Sequence, residues 1–222
     1  MLEAIGATLT SAVAIAVSPI PIIAVILMLM TPRAGRLSWS FLLGWIVGIV
    51  AATTITMLLA SVVSTETAGP QPILGGTLLA MGVTLALLGV RQWRSRPAPG
   101  VAEELPAWMS RIDGMRAPAA MGLGLALAAL NPKNLLVAAA AGAVIGDAGL
   151  DSGSTAVAIA TFSAVAATTV LVPVVLATVA PQRASQVLAG IRSWLTANNA
   201  TIMTVLFVVL GANVIGKGLA AF

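Results

Sequence analysis

Six long apolar runs, at roughly 4–30, 38–64, 73–92, 118–146, 154–180 and 200–220, take up most of this chain. The breaks between them are short and hold nearly all of its charge. A run of about 20 apolar residues is long enough to cross the hydrocarbon core of a bilayer as a helix. An open strand in that position would leave backbone polar groups in hydrocarbon with no partner. Only 8% of the 222 residues are charged and 59% are hydrophobic, against roughly 25% charged in an ordinary soluble domain. The composition therefore excludes a soluble fold and predicts a single all-α transmembrane domain over 1–222. The first run, Ala4 to Met30, is too long for a signal-peptide core and is preceded by Glu3 instead of a basic segment, so it reads as a retained first span.

The breaks carry turn and charge chemistry. They fall at Thr31-Pro32-Arg33-Ala34-Gly35-Arg36, at Glu66 to Pro72, over 91–117, at Gly146 to Gly153, and from Pro181 to Asn199. Counting basic residues by side sets the orientation. Arg33, Arg36, Arg91, Arg94, Arg96, Arg111, Arg116, Arg183 and Arg192 fall on one side, and Lys217 falls on the other with Glu3, Glu66, Asp147 and Asp151. The arginine side is expected to be cytoplasmic, with both termini outside, as in a multi-pass protein of a bacterial inner membrane. These arginines sit beside membrane ends, so the basic pI is no sign of nucleic-acid binding. Within the longest break, Leu105, Trp108, Met109, Ile112 and Met115 have the spacing of a short amphipathic helix in the interface. Such a helix would act as a tether, a gate or a partner dock.

The two halves answer each other. Ser18-Pro19-Ile20-Pro21 in the first span matches Asn131-Pro132-Lys133-Asn134 in the fourth. Ala51-Ala52-Thr53-Thr54 matches Ala166-Ala167-Thr168-Thr169, and Gly82 and Gly89 match Gly211 and Gly218. A repeat of three spans must be inverted across the membrane. The expected fold is thus two inverted three-helix repeats, 1–93 and 118–222, joined by a cytoplasmic linker at 94–117. Spans one and four are broken at proline near the midplane. Paired broken helices in inverted repeats are the strongest sequence pointer to a transport site.

Lys133 is the residue that most needs an explanation. A charge in mid-span costs on the order of 2.5 kcal/mol or more and usually serves function. Pro132 removes a backbone donor there, and Asn131 and Asn134 bring amides able to satisfy the carbonyls so released. With the half-helix starting near Asn134 and another starting at Ser18, Pro19 and Pro21, the lysine suggests an anion site built on two helix N-termini. The alternative is structural: Lys133 bonds the carbonyls of a broken helix. Thr53, Thr54, Thr168, Thr169 and Asn213 are candidate lining residues. Threonine hydroxyls equally often bond their own helix. Gly44-x-x-x-Gly48 and Gly142-x-x-x-Gly146 are packing motifs that also leave room for homodimerisation.

The residue inventory narrows the mechanism. The chain has no cysteine or histidine, so thiolate and imidazole metal sites are excluded and no cofactor or metal is expected. All seven acidic residues fall in breaks or at the ends, which disfavours a proton carrier of the carboxylate type. No phosphate-binding loop is present, and no hydrolytic constellation suggests an enzyme.

The Asn131-Pro132-Lys133 run, the proline-interrupted first span and the Arg33-Ala34-Gly35-Arg36 turn resemble the lysine exporter (LysE) superfamily of six-helix exporters. More narrowly, Pro106-Ala107-Trp108-Met109 with Ile112-Asp113, followed by Asn131-Pro132-Lys133-Asn134-Leu135, resembles the GAP family of glycopeptidolipid- and sulfolipid-addressing proteins. One departure is that Ser18-Pro19-Ile20-Pro21 stands where many amino-acid exporters carry Pro-Gly-Pro. The resemblance implies an exporter or flippase for an anionic amphiphile such as a cell-envelope lipid, often beside a larger lipid transporter. The alternatives are a non-transporting membrane subunit of such a complex and an exporter of amino acids or other small metabolites. Orientation is testable by labelling, since the chain has no native cysteine. A cysteine replacing Ser64 should react with an impermeant maleimide from outside, and one replacing Ser110 only from inside; the reverse pattern contradicts the charge argument.

Overall fold

The computed structural model describes residues 1–63, 72–96, 107–220 and 222; Ser64, Glu66, Leu105 and Pro106 lie outside them. Every element among the described residues is helical: α1 Leu2–Ala16, α2 Pro19–Leu29, α3 Ala34–Val63, α4 Pro72–Arg94, a 3-10 helix Ala107–Gly114, α5 Ala117–Ala129, α6 Pro132–Asp147, α7 Ser152–Val179 and α8 Pro181–Leu219. Three of these are long and apolar enough to cross a membrane: Ala34–Leu59 of α3, α7, and Pro181–Gly216 of α8. Two bent pairs pass the same test together, α1 with α2 at 55° and α5 with α6 at 63°. With each bent pair taken as one span, the count is five. The expected span at 73–92 falls on α4, which that count does not include.

The chain divides into two compact units. The first comprises Met1–Ser64 and Leu105–Ser193, the second Thr65–Glu104 and Trp194–Phe222. In the first unit α3 is the hub, packing against α5, α6, α7 and α2, while α1 packs against α7 and α6. Small residues make this close packing possible. A Cβ built at Gly44 would overlap the Met121 carbonyl, and one at Gly124 the Phe41 carbonyl. At Gly48 it would lie 2.6 Å from the Ala128 side chain, and at Gly142 2.5 Å from Thr56 Oγ1. The Gly44/Gly48 face is thus covered by α5 of the same chain and Gly142 by α3, so neither is open to a second copy. Leu43, Val47, Ile55, Val157 and Val172 instead point outward and are exposed, as suits helices solvated by lipid tails.

In the second unit α4 runs against the C-terminal part of α8. A Cβ at Gly82 would meet the Gly211 carbonyl at 2.9 Å, one at Gly218 the Gly75 carbonyl at 3.0 Å, and one at Gly89 the Thr204 carbonyl at 3.4 Å. The glycines matched between the two halves include direct partners in one antiparallel contact.

Two local expectations are corrected. The stretch from Pro181 to Asn199, read as a break, is helical and continuous with the last run. Pro181 opens the helix, where its missing N–H is harmless. The Asn198 amide is absorbed by the Trp194 carbonyl one turn back (2.8 Å), so the Asn pair does not end it. The amphipathic segment of the long break forms a 3-10 helix instead of an α-helix. Met109 and Ile112 share one face of it at the three-residue period of that helix. Both are buried, and the segment packs on α2.

Between α6 and α7 the chain turns at Gly149, whose φ of 57° suits a residue without a Cβ. Asp151 then caps α7, accepting from the N–H groups of Gly153 (2.9 Å) and Ser154 (3.1 Å). The Ser154 hydroxyl, followed by those backbone donors, holds the Asp151 carboxyl below its ordinary value.

Even a methyl at Gly44 has nowhere to go, because the neighbour is backbone. Gly44→Leu is expected to destabilise the detergent-solubilised protein by about 1–3 kcal/mol or more. Gly190→Leu, at a position with open space, should change the melting temperature little.

Candidate functional site

The break between α1 and α2 begins with missing donors. Pro19 and Pro21 have no N–H, so the carbonyls of Ile15 and Val17 lose their helical partners. The Ser18 N–H turns to the Ala16 carbonyl (2.8 Å), which leaves Ala14 unpartnered as well. Buried carbonyls without donors are costly; each of these three finds a substitute, and Ala16 gains a second donor. Ser18 Oγ donates to Ile15 (2.7 Å). Thr169 Oγ1, from α7, donates to Ala16 (2.6 Å). Lys133 Nζ, from α6, donates to Ala14 (2.8 Å) and, more loosely, to Val17 (3.5 Å). Its third donor goes to Ser18 Oγ (2.6 Å).

The second break follows the same logic with different groups. Pro132 stands at the start of α6. Asn131 is the N-cap, its side-chain oxygen accepting from the Lys133 N–H (3.0 Å). Asn134 Nδ2 donates back across the break to the Leu127 carbonyl (2.9 Å). Asn134 and Lys133 are both buried, at 0% and 2% exposure. A lysine with a 2% exposed side chain has no route for its ammonium to reach water, so the bonds at the break are what hold it.

Ser18, Pro19, Pro21, Asn131, Pro132, Lys133, Asn134 and Thr169 are therefore brought to the two breaks, all within the first unit. The ammonium is turned to the C-terminal end of α1, where the helix dipole is negative, rather than standing free before two N-termini. The remaining candidates are dispersed. Thr53 is fully buried on α3, with a hydroxyl that has no partner. Thr54 is half-buried on the same helix. Thr168 is exposed and bonds its own helix at Val165 (2.8 Å). Asn213 is exposed on α8, in the second unit.

Two polar residues of this region were not singled out from the sequence. Thr56 Oγ1 reaches the Ala138 carbonyl of α6 (3.1 Å). Ser163 of α7 is buried with an unpartnered hydroxyl. Neither belongs to a motif, and only the helix contacts reveal them.

Among the described residues Lys133 has no carboxylate partner. Its three acceptors are two carbonyls and a hydroxyl, all neutral. The site thus holds one amino group, shielded from solvent and fully hydrogen-bonded, with no carboxylate beside it to neutralise the charge it carries when protonated. Chemically it can tie two broken helices together, or exchange its neutral acceptors for an anion.

Ser18 both donates to one released carbonyl and accepts from the ammonium. Ser18→Ala is expected to cost about 1–3 kcal/mol, since it strands a buried acceptor and a charged donor. Thr169→Val should cost less, about 0.5–1.5 kcal/mol, because Ala16 keeps its bond from the Ser18 N–H. Equal melting temperatures for the two variants would contradict this accounting.

Comparison with known proteins adds a family. The chain matches the family described as Sap, sulfolipid-1-addressing protein, over residues 9–220. It belongs to that family, as a membrane protein with several candidate spans. No curated protein and no solved structure matches it.

Proposed function

From that membership we propose that the protein is an inner-membrane exporter or flippase that moves an anionic amphiphile, a cell-envelope lipid or a related molecule, by alternating access. The observation that carries this reading is the buried side chain of Lys133, an ammonium when protonated, with only neutral acceptors. A charge of this kind is expensive in hydrocarbon, and a sulfate, phosphate or carboxylate head group is the natural species to take it over. In this account the carbonyls of Ala14 and Val17 and the Ser18 hydroxyl hold the ammonium while no cargo is present. Cargo replaces them, the tie between the two breaks loosens, and the half-helices move. Asn131, Pro132, Asn134, Pro19, Pro21 and Thr169 shape the breaks. Thr53, with a buried hydroxyl free to bond, and Thr54 on the same helix serve as secondary contacts.

The proposed architecture is six spans in two inverted repeats, α4 being the sixth span, with both termini extracytoplasmic. Two features support it. Each half opens with a bent pair of similar angle, 55° and 63°. Each half also contributes its first two spans to the first unit and its third to the second.

A second reading is a non-transporting membrane subunit of a larger lipid-export complex. It is favoured by the full engagement of the ammonium, which is what a purely structural tie would look like. The two readings differ in an assay on the purified protein alone. In proteoliposomes carrying a fluorophore-labelled anionic lipid, the wild type should expose that lipid to an impermeant quencher faster than a zwitterionic analogue. Lys133→Met loses hydrogen bonds but also relieves a buried charge, so it should still fold. Its rate is expected to fall at least about tenfold. No movement by the wild type, or an unchanged rate in the variant, favours the subunit reading.

A further inference from the structure

Away from the two breaks, the first unit contains a second concentration of positive charge. The start of α3 and the start of α5 come together around a cavity of about 310 Å³, lined by Arg33, Arg36, Leu37, Met115, Arg116 and Pro118. Three arginines from two separate stretches of sequence thus line one space. No carboxylate lines it; the nearest acidic residue in sequence, Asp113, is not among its walls. Among the described residues none of the three guanidiniums has a hydrogen bond or ion pair of its own. The floor is apolar, with Leu37 buried and Met115 half-buried.

Positive-inside topology asks only that arginines lie on one side of the membrane; it does not ask that they converge. Like charges held around one cavity repel, and without a counter-ion the arrangement is unfavourable. Guanidinium groups bind phosphate and sulfate oxygens through paired N–H donors. The two helix starts add the positive ends of their dipoles to the charge that the side chains supply. An apolar floor beside the charges suits the glycerol or acyl root of an amphiphile better than a fully hydrated ion.

We propose that the Arg33–Arg36–Arg116 cavity is a binding site for a tetrahedral oxyanion, a phosphate or sulfate ester, at the membrane surface. It is separate from the Lys133 site and does not depend on whether the protein transports. The shared chemistry is the oxyanion, supplied by a lipid head group or by a free anion.

The test uses the full chain in neutral detergent and isothermal titration with short-chain phosphatidic acid, short-chain phosphatidylcholine, inorganic phosphate and inorganic sulfate. Phosphatidic acid is expected to bind at least about tenfold more tightly than phosphatidylcholine, with an affinity that falls as salt rises. Arg33→Gln/Arg36→Gln and Arg116→Gln should each weaken it about tenfold. Arg91→Gln/Arg94→Gln removes two exposed charges from the second unit and should leave binding unchanged. Melting temperatures near that of the wild type show that the exposed substitutions leave the fold intact. If inorganic phosphate or sulfate displaces the lipid at comparable concentration, the site takes the free anion; if neither does, it takes the lipid head group. Absence of selective binding, or equal loss in the Arg91/Arg94 control, overturns the proposal.

Discussion

The hydrogen bonds at the break in the first span are the interaction on which the first unit depends. Two prolines two residues apart delete the donors that would close the helix, and the freed carbonyls lie where water cannot serve them. The substitutes come from Ser18 next door, from Thr169 on α7 and from Lys133 on α6. The break therefore specifies tertiary structure: α6 and α7 must dock at that height and face for the backbone of α1 to be satisfied. A kink that elsewhere would be a local defect here ties three helices together. The second break, whose bond to Leu127 comes from Asn134, is satisfied more locally and holds its own two halves.

That arrangement gives one side chain a structural task and, in the proposed function, a second one as the anion contact. The carbonyls need donors, but any neutral donor would serve them; a lysine brings a charge as well. Elsewhere in the first unit α3 packs closely on α5 and α6, with Gly44, Gly48, Gly124 and Gly142 against backbone or short side chains.

Five of the six expected spans and the two breaks were legible, because hydrophobic runs and proline act through local chemistry. The chemistry of Lys133 was legible as an anomaly, but its partners were not. They lie more than a hundred residues away in sequence, and nothing in the local pattern says whether an ammonium will meet a carbonyl or an anion. Thr168 and Thr169 show the same limit. They are adjacent and alike, yet one bonds its own helix on the outside and the other reaches the break. The Pro181–Asn199 stretch misled because its arginines and asparagines look like a loop, whereas helix-compatible residues behind an N-terminal proline continue the helix. The arginine cavity was hidden by another use of the same residues: counted by side they predict a topology, and only the fold shows which of them converge.

The central claim, that Lys133 is a hydrogen-bonded ammonium awaiting an anionic partner, can be tested at the atom itself. The chain contains only two lysines, Lys133 and Lys217. In a Lys217→Arg background, 15Nζ-lysine NMR of the detergent-solubilised protein reports Lys133 alone. The account predicts an ammonium signal protected from solvent exchange, which shifts when an anionic lipid is added and stays unmoved with phosphatidylcholine. A neutral amine signal, or an ammonium signal indifferent to every anionic lipid, would contradict it.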